Sequence, residues 1–244
     1  MRTGKEVSVL FSGGSDSMLV AAMMCEEFEK VHLLTFFHSG IPEAKRSKVN
    51  ARRLENRFGK SRIVHKLINI EQIFQVLYYA NYARDLRKYR LFLVAATCNA
   101  CQLAMHAATL IYNINNNIRF ARDGYKREKG HIYAFMSEEG IEDLKTLYRK
   151  HKINYDNPVC HIPRTDWVLF DMGLTPKRNA KFPYQPYGHA TQHLCPHGIL
   201  TNAYIIGYHH PLYHRVPHRW MEYHRERIAM AERYIQSYLK KRKC

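Results

Sequence analysis

The chain has 244 residues, 46% of them hydrophobic and 24% charged, enough for one sizeable core and ordinary for a globular protein. Its charge is not ordinary: 38 Lys and Arg against 21 Asp and Glu leave a formal +17, an excess that favours polyanionic partners, nucleic acid foremost, a generally basic protein being the plainer alternative. No apolar stretch reaches the ~18–20 residues that span a bilayer, so no membrane is expected. No secretory leader is visible, so the six cysteines point to metal, cluster or catalytic thiols in a cytoplasmic protein.

In chain order, strands are expected over 6–11, 31–37, 62–70 and 117–122. Helices are expected between them, over 15–29, 42–58, roughly 71–80 and 98–113. Continuous apolar strands alternating with amphipathic helices imply an α/β fold, a parallel sheet covered on both faces. Further helices follow over 132–150 and 164–173, the second ending at Gly173, with Asp156-Asn157-Pro158 breaking the chain between them. From Pro176 to Pro217 prolines, tyrosines and histidines dominate, and 218–240 closes the chain as an amphipathic helix with a basic tail. The expected organisation is an α/β domain over 1–175 and an extension over 176–244.

The first strand empties into Ser12-Gly13-Gly14-Ser15-Asp16-Ser17, and the apolar run from Met18 then reads as helix. Glycines let backbone approach a ligand, successive N–H groups point at it, and a helix N-terminus favours negative charge. Phosphate or pyrophosphate is the natural ligand; an ordinary Gly-Gly turn before a capped helix is the plainer alternative. The stretch is neither the G-x-x-x-x-G-K-[ST] loop nor G-x-G-x-x-G. It resembles the S-G-G-x-D-S signature of the PP-loop ATP pyrophosphatases, the adenine nucleotide alpha-hydrolase-like, Rossmann-like superfamily.

That resemblance implies that ATP is cleaved to AMP and pyrophosphate, with AMP passed to a carbonyl or carboxylate oxygen that sulfur or nitrogen then displaces. Backbone around Gly13 and Gly14 would cradle pyrophosphate, with Ser12, Ser15 and Ser17 beside it. Asp16 is suited to Mg²⁺, which favours carboxylate and phosphate oxygens. Asp123 and Gly124 form a second loop at a strand C-terminus, where ligands bind in open α/β sheets. His38, Arg52 and Arg53 are candidate cations near the loop, the two arginines reading more readily as a solvated helix face.

Cys98-Asn99-Ala100-Cys101 opens the predicted helix 98–113, which places both sulfurs on one side under the helix dipole. Such a pair suits redox chemistry, a zinc half-site or an iron–sulfur half-site. In the tRNA 2-thiolation enzymes that the chain resembles over about residues 6–124, a C-x-x-C after the phosphate loop joins a third cysteine to hold a 4Fe–4S cluster. Here Cys195, in His193-Leu194-Cys195-Pro196-His197, is the expected third ligand, with His197 able to complete a mixed zinc site. Cys160 is the alternative third ligand but reads better as a packing cysteine, and Cys25 reads as core. The 7-cyano-7-deazaguanine synthases share the loop motif, but their four closely spaced C-terminal cysteines are absent.

Fifteen histidines include a crowd at His193, His197, His209, His210, His214 and His218, which reads as a polar surface able to meet bases and phosphates. Arg225, Arg227, Arg233 and the tail from Lys240 read as a phosphate-contacting surface. The expected function is therefore ATP-dependent adenylation of a nucleobase oxygen for sulfur transfer, with tRNA the favoured substrate and the sulfur donor unassigned. A small-molecule adenylating enzyme and a non-catalytic nucleotide- or RNA-binding module are the alternatives. A homodimer is left open.

Overall fold

The computed structural model describes residues 4–40, 44–89, 93–126, 133–176 and 218–242. Five strands, β1 Gly4–Leu10, β2 Phe28–Phe37, β3 Ile63–Asn69, β4 Phe120–Arg122 and β5 Asn154–Asp156, form one sheet in the order β3-β2-β1-β4-β5. Every pairing is parallel. The helices are α1 Ser15–Glu27, α2 Lys48–Phe58, α3 Glu71–Leu77, α4 Tyr82–Tyr89, α5 Leu93–Asn115, α6 Glu138–Lys150, α7 Thr165–Asp171 and α8 His218–Lys241.

The two-residue period of the central strands sorts side chains to two cores. Val7, Val9, Phe11, Val31 and Leu33 pack with α1, α2 and α7 through Met18, Leu54 and Leu169. Leu10, Leu34 and Phe36 face the opposite way, onto α3, α5, α6 and α8 through Phe74, Leu103, Leu144 and Ile235. Both faces are thus covered, and the sheet is the α/β arrangement that the alternating pattern implies. No helix among the described residues is long and apolar enough to cross a membrane.

Four elements depart from expectation. The strand expected from 31 begins at Phe28, which caps α1 and enters the sheet with no intervening loop. Helix α5 begins at Leu93, not at Cys98, so the cysteine pair lies inside the helix, beyond the first turn where the dipole acts. Strand β5 and helix α4 were not expected; β5 exposes Asn154 and Asp156 and buries only Tyr155, a pattern too short to show a period. The final helix matches its expected span closely, whereas 177–217 lies outside the described residues.

The chain adds β2 and β3 on one side of β1, then crosses to add β4 and β5 on the other. That reversal lies between β1 and β4, whose register pairs Ser8 with Ala121 and Val9 with Arg122. The carboxyl ends of these two strands flank the crevice where open α/β sheets bind ligands.

Candidate active site

The exit from β1 is held from both sides. Phe11 N donates to Leu34 O at 2.8 Å, and Thr35 Oγ1 donates to Phe11 O at 2.6 Å. The chain then turns through Gly13 at φ 80°, a left-handed conformation that glycine adopts without strain. Gly14 is the extended N-cap of α1, with no side-chain cap, and its carbonyl accepts the first helical bond from Met18 N at 2.9 Å. The two hydroxyls bind the loop to itself: Gly14 N donates to Ser12 Oγ at 3.3 Å, Ser17 Oγ donates to Gly14 O at 3.1 Å, and the two oxygens stand 3.3 Å apart. Ser15 is half-buried at the first turn of α1.

Residues far along the chain complete this turn. Asn50 on α2, 3% exposed, donates from Nδ2 to Gly13 O at 2.7 Å, and Arg53 Nη1 donates to Asn50 Oδ1 at 2.9 Å. Arg53 thus reaches the loop through Asn50, whereas Arg52 is solvent-exposed. From the far side of the crevice, Gly124 presses on α1 so closely that a Cβ there would lie 2.8 Å from Ser17 N. Asp16 receives a hydrogen bond from Thr165 Oγ1 on α7 at 2.6 Å, and Lys126 Nζ stands 3.5 Å from the same carboxylate oxygen. Lys126 also donates to Ile162 O, and its side chain is buried. Asn50, Lys126 and Thr165 carry no local motif, and sequence reasoning missed all three.

Behind the second loop lies a buried polar network. Asp123, 1% exposed, accepts hydrogen bonds from Tyr125 N at 3.1 Å and from the Tyr155 hydroxyl. Burial pushes its carboxyl up to about 7, against the opposing pull of those two donors. His106 on α5 has Nδ1 3.0 Å from Tyr148 Oη and Nε2 3.0 Å from Tyr125 Oη. The Tyr125 hydroxyl donates to Gln102 Oε1, so its oxygen accepts from His106 Nε2–H and Nδ1 accepts from Tyr148. Burial holds His106 down at about 3, which keeps it neutral. Asp123 therefore works inside the wall of the crevice, anchoring the turn that carries Gly124.

Cys98 and Cys101 sit one turn apart on α5, Cys98 half-buried and Cys101 buried. Cys101 Sγ is 3.5 Å from His38 Nε2. His38 is buried against the Phe74 ring, with centroids 4.4 Å apart, and its Nδ1 accepts from Gly40 N at 3.1 Å. Both ring nitrogens of His38 are thus engaged, one by Gly40 N and one by Cys101 Sγ. Among the described residues no three of His, Cys, Asp and Glu are grouped to hold a metal. Cys195 and His197, the expected remaining ligands, lie outside the described residues. Cys25 is buried as expected, whereas Cys160 is only half-buried.

No protein-family model matches the chain, and no curated protein matches its sequence. Solved structures do resemble it. One is the crystal structure of a predicted subunit of tRNA methyltransferase from Methanocaldococcus jannaschii, 19% identical, with a TM-score of 0.44, covering 71% of this chain and 91% of that one.

The final helix is less of a phosphate-binding surface than its composition implies. Arg227 is fully buried, donating to Leu77 O at 2.8 Å and to Asp85 Oδ1 at 3.0 Å. Arg225 is bound to Asp143 and Glu139, each at 3.0 Å. Both arginines dock α8 on the body of the protein. His224, also fully buried, donates from Nδ1 to Asn99 Oδ1 at 2.9 Å, fixing α8 to the turn of α5 between the two cysteines.

Proposed function

We propose that this chain is an ATP-dependent adenylating enzyme that releases pyrophosphate into the Gly13–Gly14 turn and transfers AMP to a carbonyl-type oxygen of a nucleobase, which sulfur then replaces. The observation that carries the reading is the junction of the S-G-G-x-D-S turn with Gly124: two loops from adjacent parallel strands meet at the sheet's reversal point with no side chain between them. Backbone amides at the start of α1 face an incoming anion there, and no side chain of the N-cap residue competes for them. Asn50 and Thr35 hold the turn before substrate arrives, so little reorganisation is needed at the moment of reaction. Transfer between phosphorus and oxygen asks mainly for such positioning and charge stabilisation.

Asp16 is the carboxylate placed to hold Mg²⁺ against the phosphates, and the metal would supply charge neutralisation there. The thiols of Cys98 and Cys101, one turn apart on the same side of α5, suit two positions of a zinc or 4Fe–4S site completed by Cys195 and, for zinc, His197. A cluster there would supply the soft site that carries sulfur. The formal +17 favours tRNA as the polyanion that presents the nucleobase.

The reading is tested by following AMP and pyrophosphate release from ATP with and without bulk tRNA, alongside iron, sulfide and zinc analysis of anaerobically purified protein. Release that requires tRNA, from brown protein with equal iron and sulfide, is the expected result. Release without nucleic acid would transfer the chemistry to a small molecule. ATP binding with no turnover, equal in wild type and Asp16→Ala, would make the chain a binding module.

A further inference from the structure

Helix α7 is amphipathic in the wrong sense. It buries Thr165, Asp166 and Leu169 and turns Trp167, Val168 and Phe170 outward, 38%, 36% and 41% exposed. At about 3.6 residues per turn these three fall on one face, with exposed Arg164 and Asp171. A surface helix ordinarily does the reverse, and polar groups inside with large apolar ones outside is the informative combination. The inward face has its reason: Thr165 Oγ1 donates to Asp16 Oδ1 at 2.6 Å, and the buried Asp166 carboxylate lies 3.4 Å from Arg164 Nε. The outward face has none inside the fold. Its chemistry is an aromatic ring beside a cation, with the Arg164 guanidinium 4.5 Å from the Trp167 ring centroid. A planar ring that carries a phosphate uses both, by stacking on the indole and pairing with the guanidinium. An apolar protein surface would use only Trp167, Val168 and Phe170, and the formal +17 of the chain favours the polyanion. Asp171, the acid of this face, lies at the opposite end of the helix from Arg164, which assigns the phosphate to the Arg164 end.

We infer that the Arg164–Trp167–Phe170 face of α7 is a stacking platform for an unpaired base of RNA. The inference rests on the nucleobase part of the adenylation reading. A base that reacts at its edge must leave its stack, and the neighbour it abandons needs another flat surface. Thr165 ties α7 to Asp16, so the platform lies across one helix, ~10 Å, from the phosphate turn. A flanking nucleotide on Trp167 would thus hold the strand beside the crevice while the reacting base enters it.

Tryptophan emission tests this directly. The chain has two tryptophans, and the other, Trp220, is buried, so Trp220→Phe leaves Trp167 as the sole indole. In that full-length protein, without ATP, bulk tRNA is expected to quench the emission and shield it from acrylamide. Heparin, a polyanion without bases, should do neither. If Trp220→Phe does not fold, the difference between wild type and Trp167→Leu supplies the same signal. By calorimetry, Trp167→Leu should weaken tRNA binding at least about fivefold, because a base loses its stacking partner. The salt dependence should not change, because no phosphate contact is removed, and Trp167→Tyr should restore most of the affinity. Bound tRNA with unaltered emission, equal quenching by heparin, full affinity in Trp167→Leu, or no tRNA binding at all overturns the inference. Shielding of Trp167 that grows with protein concentration alone would give the face to a second copy, and overturns it too. Quenching by tRNA with no AMP released from ATP would overturn the adenylation reading and leave the platform standing.

Discussion

Gly124 and Ser17 touch backbone to backbone across the crevice: a Cβ on Gly124 would stand 2.8 Å from Ser17 N and 2.9 Å from the carbonyl carbon of Asp16. Gly124→Ala must therefore part the two loops by several tenths of an ångström. The expected outcome is a loss of ATP affinity of tenfold or more, with a stability cost of about 1–3 kcal/mol typical of overpacking. Gly59→Ala is the comparison, since its φ of 99° strains any side chain while nothing lies within 4 Å. It should lose stability and keep its nucleotide affinity. Equal affinities in the two variants, measured by calorimetry, would remove Gly124 from the site.

Asn50→Ala leaves the Gly13 carbonyl without its buried donor. Losing a hydrogen bond of this kind costs about 1–3 kcal/mol where a buried group is left unsatisfied. Because the bond holds the turn that the proposed adenylation assigns to pyrophosphate, ATP affinity should fall by about an order of magnitude, with AMP release slowed in parallel. An unchanged dissociation constant would show that the turn holds its shape without α2.

Arg227 and Arg225 are two positions apart and should behave oppositely. Arg227→Ala takes from buried Asp85 its buried partner and leaves it only the half-exposed Arg84, and breaking a buried pair from one side costs about 3–5 kcal/mol. Arg225→Ala removes only exposed ion pairs, worth about 0–1 kcal/mol. Urea denaturation of the two variants separates them, and comparable midpoints would contradict the docking role of Arg227.

The buried network makes a pH prediction with opposing signs. Asp123 keeps its proton up to about pH 7 in the native state but releases it near the ordinary carboxylate value when unfolded. Through that window the native state binds more protons, and stability falls as pH rises. His106 runs the other way: the unfolded chain is protonated below about pH 6.5, the native ring only below about 3, so stability rises with pH. Each group contributes about 1.4 kcal/mol per pH unit, and between about pH 4 and 6.5 the two nearly cancel. Asp123→Asn should make stability climb more steeply with pH than in wild type, and His106→Gln less steeply. Denaturation curves that stay parallel to wild type across this range would refute the assignment.

What the sequence shows and what it hides divide along physical lines. The turn after β1 is legible because its chemistry is local: two glycines, a carboxylate and hydroxyls between an apolar strand and an apolar helix. The alternation of strands and helices is legible for the same reason. The start of α5 is hidden because Leu93 opens a run that no capping residue announces, which moves the cysteines away from a helix terminus. Lys126, Thr165 and Asn50 are hidden because only the crossovers of the sheet bring them to Asp16 and Gly13. Arg227 was legible and was misread: Tyr223, Arg227, Ala231 and Ile235 form one row at helical spacing, and every member of it is buried.

Helix α8 seals α5 by contacts such as His224 with Asn99, 125 positions apart in sequence. At a synthesis rate of about 5–20 residues per second, that separation keeps the α5 surface uncovered on the ribosome for on the order of ten seconds. Throughout that interval the cysteine-bearing helix is exposed to chaperones, oxidants and stray metal ions, and any group destined for Cys98 and Cys101 has its easiest entry before α8 arrives.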